Sequence, residues 1–261
     1  MTVNTKTVVE YLDHLPAASP ANHSLFGEVE YQNLPRAQQL GGQYLARNWV
    51  SIPHVTHHDD VDITDLEAAR ETLPRGTGDA KITMPVLLVK AIVAVLKQFP
   101  KFNASLDEDG RAICLKHYYN IGIAVDTPNG LLVPVIKDAD KKTLQEIAHE
   151  FRDLALAART KGLPMSAMEG GSFTLSSIGS LGGTAFTPII NAPEVAILGA
   201  TKATWKPERG PDDELLWRLK LPLSLSYDHR VINGADAARF LTVFDSIVRD
   251  PSIVIEGSAG A

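Results

Sequence analysis

The sequence predicts an α/β fold in which helices pack on a mixed β-sheet. Runs with the two-residue alternation of strands and runs with the 3.6-residue period of helices follow one another along the 261 residues. Hydrophobic residues make up 44% of the chain and charged residues 21%, values typical of a globular protein rather than a disordered one. A chain of this length can bury a sizeable core, and we expect one main domain.

The domain is expected to span residues 26–250. The segment 1–25 contains the Pro/Ala/Ser stretch LPAASPANHS and is predicted to be flexible, and residues 251–261 are predicted to form a C-terminal tail. The first element of the domain is a helix-like segment over 35–50 that contains a Gly pair. A strand follows in HVTHHDDVD, and the pattern changes to a helical period at Thr64.

The middle of the chain gives three further elements. MPVLLVKAIVAVLKQFP, 84–100, is apolar on all sides and is too short and too rich in Lys to cross a bilayer, so it predicts a buried helix. The runs NIGIAVD and LLVPVI are joined by Thr-Pro-Asn-Gly and predict a β-hairpin within 117–138. LQEIAHEFRDLALAARTKGL, 144–163, predicts a helix that ends at Lys161-Gly162.

The C-terminal third predicts three strands and a closing helix. The strands lie in GSFTLSSIGSLGG, VAILGATKATW and LLWRLKLPLSLSYD, and the helix lies in ADAARFLTVFDSIVRD.

Charge and cysteine content exclude several classes of function. The net charge of −6 argues against nucleic-acid binding, which needs clustered Lys and Arg. The single cysteine, Cys114, excludes an intrachain disulfide and a zinc site built on Cys pairs, as expected for a reducing compartment. The N-terminus has no basic stretch followed by an apolar core, and no run approaches the roughly 20 apolar residues of a membrane span. We therefore expect a cytoplasmic protein with no membrane partner.

His229 is the first candidate for catalysis. It follows the strand LPLSLSYD, at a point where a side chain can leave the sheet and face a cleft. Its ordinary pKa, near neutrality, suits a general base. The alternative is a turn histidine, with Asp228 and Arg230 as a solvated pair and Asn233 as the N-cap of a helix that begins at Gly234. Spacing alone leaves both interpretations open.

The second candidate is the segment GGSFTLSSIGSLGGTAFTP, 170–188. Its glycines and serines indicate either tight turns or a place where backbone and hydroxyl donors meet a ligand. A dinucleotide fingerprint, a phosphate loop and a G-x-S-x-G nucleophile motif are all missing from the sequence. A serine here is therefore better suited to stabilising an oxyanion than to acting as a nucleophile.

The cluster HVTHHDD, 54–60, has the composition of a metal site. In an alternating strand, however, His54 and His58 point to one face and His57 to the other, and no second ligand cluster follows. We expect His54 to serve the fold, and we expect no metal.

Six motifs, in order, resemble the catalytic domain of the dihydrolipoamide acyltransferases, the E2 cores of 2-oxoacid dehydrogenase complexes. They span about residues 26–250: NWVSIPHVTHHDDVDITDLEA, FPKFNASL, NIGIAVDTPNGLLVPVI, GSFTLSSIG, TPIINAPEVAILGA and SLSYDHRVINGADAARFL. Their residues are most similar to those of the pyruvate dehydrogenase acetyltransferases. The resemblance implies the two-layer, trimeric α/β fold of chloramphenicol acetyltransferase and the transfer of an acyl group between S-acyl-dihydrolipoamide and coenzyme A.

The resemblance also implies the roles of individual residues. His229 becomes the general base that takes the proton of a thiol, and Ser176 becomes the donor to the tetrahedral oxyanion. Asn233 stands where many members have Asp, so its role becomes hydrogen bonding or helix capping rather than ion pairing. Arg36 is at the position of an arginine that braces the site.

The resemblance implies coenzyme A as substrate, a lipoyl group supplied by a separate domain or chain, and a homotrimer with sites between subunits, possibly within a larger core with other dehydrogenase subunits. Two alternatives stay open. One is a coenzyme A-dependent acetyltransferase with a non-lipoyl acceptor, and the other is a non-catalytic core subunit.

Overall fold

The structure of the protein, a computed structural model, describes residues 22–74, 76 and 78–256. Most of the predicted flexible segment 1–25 and residues 257–261 of the predicted tail lie outside these residues. The described helices are α1 (Arg36–Ser51), α2 (Thr64–Thr72), α3 (Met84–Gln98), α4 (Leu144–Thr160), α5 (Gly234–Arg249) and α6 (Pro251–Glu256). The described strands are β1 (His54–Asp62), β2 (Ala104–Leu106), β3 (Ile113–Leu115), β4 (Ile121–Ile123), β5 (Val125–Thr127), β6 (Gly130–Leu132), β7 (Val135–Ile136), β8 (Phe173–Ser177), β9 (Ala196–Ala200), β10 (Thr204–Arg209) and β11 (Leu215–Asp228).

A seven-stranded mixed sheet forms one layer of the domain. Its strand order is β1-β11-β9-β8-β4-β7, and β10 pairs with the first part of β11. β8 runs parallel to both β4 and β9, whereas the other pairs in this sheet are antiparallel. The predicted mixed sheet is therefore confirmed.

Helices form the second layer, with α3 at its centre. α3 contacts α4, α5 and α6 and also lies on β8, while α5 packs against β1. Nine of the 15 residues of α3 are buried, so the apolar run 84–100 is the buried helix that its composition predicts. Among the described residues, no helix combines the length and the apolar character that a membrane crossing requires.

The predicted hairpin is present, but it divides between two sheets. Ile121 pairs with Ile136 within the main sheet, whereas β5 and β6 form a separate two-stranded sheet next to the turn. A hydrogen bond stabilises the turn: the Thr127 hydroxyl donates to the carbonyl of Gly130 at 2.6 Å. Gly130 has a φ of 118°, which glycine adopts without strain. The hairpin therefore leaves the sheet at its tip.

Local signals fix the ends of the surface helices. At the start of α4, Glu146 N donates to Thr143 Oγ1 at 3.2 Å and Thr143 N donates to Glu146 Oε2 at 2.7 Å, a reciprocal capping box. α4 ends at Thr160, and Gly162 follows with a φ of 79°, close to the predicted end. α1 continues through its Gly pair without a break, so the helix-like segment 35–50 is a single helix.

The interval predicted as a C-terminal tail begins with a helix. α6 covers Pro251–Glu256, and the Val254 side chain is fully buried. α6 contacts α3, which supplies the apolar partners that make the helix stable. The folded unit therefore extends beyond residue 250.

Candidate active site

His229 lies on a turn between β11 and α5, and main-chain hydrogen bonds fix that turn on both sides. The amide of Asp228 donates to the carbonyl of Val195 at 2.8 Å, and the amide of His229 donates to the carbonyl of Pro53 at 3.1 Å. The amides of Val231 and Ile232 both donate to the carbonyl of Asp228 at 3.0 Å. His229 is exposed in the single chain, so a firmly held backbone presents its ring at the surface.

Asp228 and Arg230 form the pair that the turn interpretation predicts, but Asp228 is buried rather than solvated. Its carboxylate is 2% exposed and accepts from Arg230 Nε at 2.9 Å and from Arg230 Nη2 at 2.6 Å. Such two-point pairing fixes both side chains. The pair therefore braces the turn that carries His229.

Asn233 caps α5. Its Oδ1 accepts from the amide of Asp236 at 2.9 Å, as the sequence predicts for a helix that begins at Gly234. The cap fixes the start of α5 relative to His229, which lies four residues before Asn233.

Ser176 lies near the end of β8 and lines a cavity of about 710 Å³. Ser177 and the turn that follows, through Leu181, line the same cavity. The opposite walls are apolar and come from α3, α4 and β11, with Met84, Phe151 and Leu221 among the lining residues. From the sequence, the Gly/Ser segment is interpreted either as tight turns or as a place where hydroxyl donors meet a ligand. Its strand, β8, presents hydroxyls to a cavity, and its later part forms a turn.

The single chain does not bring His229 to Ser176. Ser176 pairs with Gly199, which pairs with Ser224 on β11, and His229 does not line the cavity. His229 lies five residues beyond Ser224, so strand spacing and rise separate it from Ser176 by roughly 20 Å. A site that uses both residues needs two chains. Arg36, the first residue of α1, is likewise exposed, and its bracing role stays a prediction.

The histidines of β1 contribute to the fold. His54 Nδ1 donates to the carbonyl of Ile52 at 2.8 Å, and its Nε2 accepts from the amide of Ile190 at 3.0 Å. His58 Nδ1 lies 2.9 Å from Ser224 Oγ. Across the described ranges, no group of three or more His, Cys, Asp or Glu side chains is arranged to hold a metal ion.

Glu194, in the loop before β9, is a further candidate that the sequence alone did not indicate. Its side chain is only 3% exposed, and burial raises its pKa to about 7, although the Thr174 hydroxyl, the Lys116 ammonium and the Asn191 amide each lower it. The signal in the sequence is a single carboxylate in the otherwise apolar run NAPEVAILGA. A buried ionisable group in such a run marks a candidate functional position.

Comparison with known proteins identifies the family. Residues 27–255 match the model of the 2-oxoacid dehydrogenases acyltransferase (catalytic domain). The chain is 56% identical over 227 residues to the dihydrolipoyllysine-residue acetyltransferase component of the pyruvate dehydrogenase complex of Cupriavidus necator, covering 86% of this chain and 40% of that protein. It is 49% identical over 245 residues to the corresponding component of Pseudomonas aeruginosa, covering 90% of this chain and 43% of that protein. The chain therefore spans about two fifths of the length of these curated relatives.

Solved structures agree with this match. The cubic core of a pyruvate dehydrogenase multienzyme complex has a TM-score of 0.88 and 47% identity, covering 92% of this chain and all of that one. A structure used to study the roles of a serine, a histidine and an asparagine in the catalytic mechanism of Azotobacter vinelandii dihydrolipoamide acetyltransferase has a TM-score of 0.87 and 46% identity, with the same coverage. Its asparagine follows its histidine by four residues, as Asn233 follows His229.

Chloramphenicol acetyltransferase has a TM-score of 0.53 and 17% identity over 75% of this chain and 88% of that one. It shares the fold, which confirms the predicted α/β fold of the single chain. The family match, the identity to acetyltransferase components and the agreement in fold lead to one conclusion: this chain belongs to the 2-oxoacid dehydrogenase acyltransferases and spans their catalytic domain.

Proposed function

We propose that this domain transfers an acetyl group between S-acetyl-dihydrolipoamide and coenzyme A. One observation carries the proposal: an exposed His229 on a braced turn and a hydroxyl-lined cavity at Ser176 occur together in a chain 56% identical to a dihydrolipoyllysine-residue acetyltransferase. A thioester exchange needs a base for the incoming thiol and a donor for the oxyanion. His229 and Ser176 supply these two groups.

His229 begins the reaction as a general base. The imidazole accepts the proton of the incoming thiol, and the resulting thiolate attacks the carbonyl carbon of the thioester. As the tetrahedral intermediate collapses, the bond from carbon to the leaving sulfur breaks, and the leaving thiolate takes the proton back from the imidazolium. The proton count is therefore the same before and after the transfer.

Ser176 and Asn233 complete the proposed site. The Ser176 hydroxyl donates a hydrogen bond to the oxygen that becomes negatively charged in the tetrahedral intermediate. Asn233 acts by hydrogen bonding: its Oδ1 already caps α5, which holds the helix start next to the His229 turn. This neutral side chain contributes a hydrogen bond at the start of α5 rather than an ion pair.

The cavity suits the proposed substrates. Both carry a thiol at the end of an extended, flexible arm, and a cavity of about 710 Å³ with mainly apolar walls is within the range of small-molecule sites. Because the chain spans about two fifths of its relatives' length, we propose that the lipoyl group comes from a separate domain or chain. A reducing cytoplasm is the expected location, because the dithiol must stay reduced.

We also propose a homotrimer with active sites between subunits, as the core of a pyruvate dehydrogenase complex. Two features support it: His229 lies roughly 20 Å from Ser176 within one chain by strand spacing, and large apolar side chains are exposed on α1 and the segment before it. These side chains are Leu25, Phe26, Tyr31, Leu34, Leu40 and Trp49. Contact between subunits would cover apolar surface and bring the two residues together.

The test is release of coenzyme A from acetyl-coenzyme A with free dihydrolipoamide as acceptor. We expect His229→Ala to lower kcat by about 10²- to 10⁴-fold, the usual contribution of a general base. His117→Ala is the matched control, because this exposed histidine lies neither on the catalytic turn nor on the cavity wall. A folded wild-type protein without transfer, or equal losses in the two variants, would contradict the proposal.

A further inference from the structure

The loop 190–195 lies directly behind the turn that carries His229. At its end, the Val195 carbonyl accepts the amide of Asp228 at 2.8 Å. At its start, the amide of Ile190 donates to His54 Nε2, and the Ile190 carbonyl accepts from Asn48 Nδ2, both at 3.0 Å. The position of His229 therefore depends on the order of this loop.

Glu194 holds the middle of the loop from inside the protein. Its Oε1 accepts from Asn191 Nδ2 at 3.4 Å, and its amide donates to the Asn191 carbonyl at 3.1 Å. The Tyr44 hydroxyl of α1 shares its one proton between the carbonyl of Ala192 and Asn191 Oδ1, which lies 3.2 Å away. The carboxyl thus belongs to a chain of hydrogen bonds from α1 through the loop.

The protein makes room for this carboxyl. A Cβ atom at Gly171 would lie 2.7 Å from Glu194 Oε1, so a larger residue at that position would displace the side chain. On another side the Thr174 hydroxyl faces the carboxyl, but it falls short of a regular hydrogen bond, and Oε2 has no partner among the described residues. Thr174 is on β8, two residues before Ser176. The Glu194 side chain therefore links the loop 190–195, behind His229, to the strand that carries Ser176.

We propose that Glu194 is a positioning residue for His229, acting through the loop 190–195; this inference rests on the proposed acetyl transfer. The contacts form a continuous path: the carboxyl fixes Asn191, Asn191 and Tyr44 fix the loop, and Val195 fixes the amide next to His229. A displacement of about 1 Å at a catalytic group can cost 10²-fold in rate. The path therefore links a buried carboxyl to kcat without contact between Glu194 and the substrate.

The protonation state of Glu194 decides how well it holds the loop. The titratable groups that face it are Lys116, which follows β3, and Tyr44 of α1. Lys116 Nζ donates to the carbonyl of Gly171 at 3.5 Å rather than to the carboxylate, and burial lowers the Lys116 pKa. Since burial raises the Glu194 pKa to about 7, a carboxylate without an ion pair appears as pH rises above that value. The Asn191 hydrogen bond lowers the Glu194 pKa, so it is stronger to the carboxylate than to the neutral carboxyl, and ionisation holds the loop more firmly.

The experiment measures kcat and KM for the transfer from pH 6 to pH 9 in the wild type, Glu194→Gln and Glu169→Gln. Gln keeps the shape and the acceptor of the protonated side chain but cannot ionise. The ratio of wild-type kcat to that of Glu194→Gln should rise about fivefold between pH 6 and pH 7 as a group with a pKa of about 7 ionises, with KM nearly constant. The ratio of wild-type kcat to that of Glu169→Gln, an exposed control, should stay constant over the same range. Superimposable profiles of the wild type and Glu194→Gln, or a change confined to KM, would overturn the proposal.

A second readout separates this inference from the proposed function. Diethyl pyrocarbonate modifies neutral imidazole, and peptide mapping gives the rate of modification at His229 as a function of pH, with His117 as the internal reference. The ratio of the His229 rate in the wild type to that in Glu194→Gln should change between pH 6 and pH 8, whereas the same ratio at His117 should stay constant. Identical profiles in the two proteins would refute positioning by Glu194 even if the wild type transferred no acetyl group.

Discussion

The stability of the protein should depend on pH through Glu194, and Glu194→Gln should remove that dependence. The carboxyl is buried, and its pKa rises from the ordinary value of 4.5 to about 7 on folding. The folded chain therefore binds this proton more tightly than the unfolded chain does. The resulting stabilisation is complete below pH 4.5, declines as pH rises, and is lost once pH passes the folded pKa of about 7.

The magnitude follows from the size of the shift. One pKa unit corresponds to about 1.4 kcal/mol, so a rise from 4.5 to about 7 makes the wild type about 3 kcal/mol less stable at pH 8 than below pH 4.5 on account of this group. Gln carries no charge at any of these pH values. The free energy of unfolding of Glu194→Gln minus that of the wild type should therefore increase with pH.

The assay is urea denaturation at pH 5, 6, 7 and 8. Protein concentration is held fixed because the stability of an oligomer depends on it. Glu169→Gln serves as control, since its exposed carboxylate should contribute little, and its difference from the wild type should stay constant. A difference between Glu194→Gln and the wild type that is also constant from pH 5 to pH 8 would refute the assignment of a buried, proton-binding Glu194.

Three further results are expected. Asn233→Ala should lower the free energy of unfolding by about 1 kcal/mol in urea denaturation because α5 loses its cap. Asn233→Asp should lower it much less, because Asp also caps helices. Ser176→Ala should lower kcat in the coenzyme A release assay by about 10²- to 10³-fold, and Ser177→Ala much less, if Ser176 is the oxyanion donor. Co-expressed His229→Ala and Ser176→Ala chains should recover about a quarter of wild-type activity, since random trimers then contain intact sites between unlike chains; no recovery would argue against shared sites.

Elements with strong local patterns were predictable from the sequence. The apolar run 84–100 can only be buried, and the reciprocal caps at Thr143 and Glu146 lie three residues apart, so both helices form where the sequence places them. The hairpin follows from its Thr-Pro-Asn-Gly turn. The tail was harder, because Pro251–Glu256 becomes helical through packing on α3, a contact distant in sequence.

The same distinction between local patterns and distant packing applies to the residues of the candidate site. His229 and Asn233 are four residues apart, so the turn and the cap were readable from the sequence, and the resemblance implied a role for Ser176. Glu194 was missed because its importance depends on burial. Its neighbours Lys116, Thr174 and Gly171 come from different parts of the chain, and their approach cannot be read from local spacing.

The sequence by itself determined the elements of the fold, the family and the residue types available for thioester chemistry, because periodicity, turn residues and ordered motifs are local properties of the chain. Only the tertiary structure decided that Asp228 is buried, that burial raises the pKa of Glu194, and that His229 and Ser176 stay apart within one chain. These facts depend on which strands are neighbours and on how far water is excluded. Both are set by packing between segments that are remote in sequence.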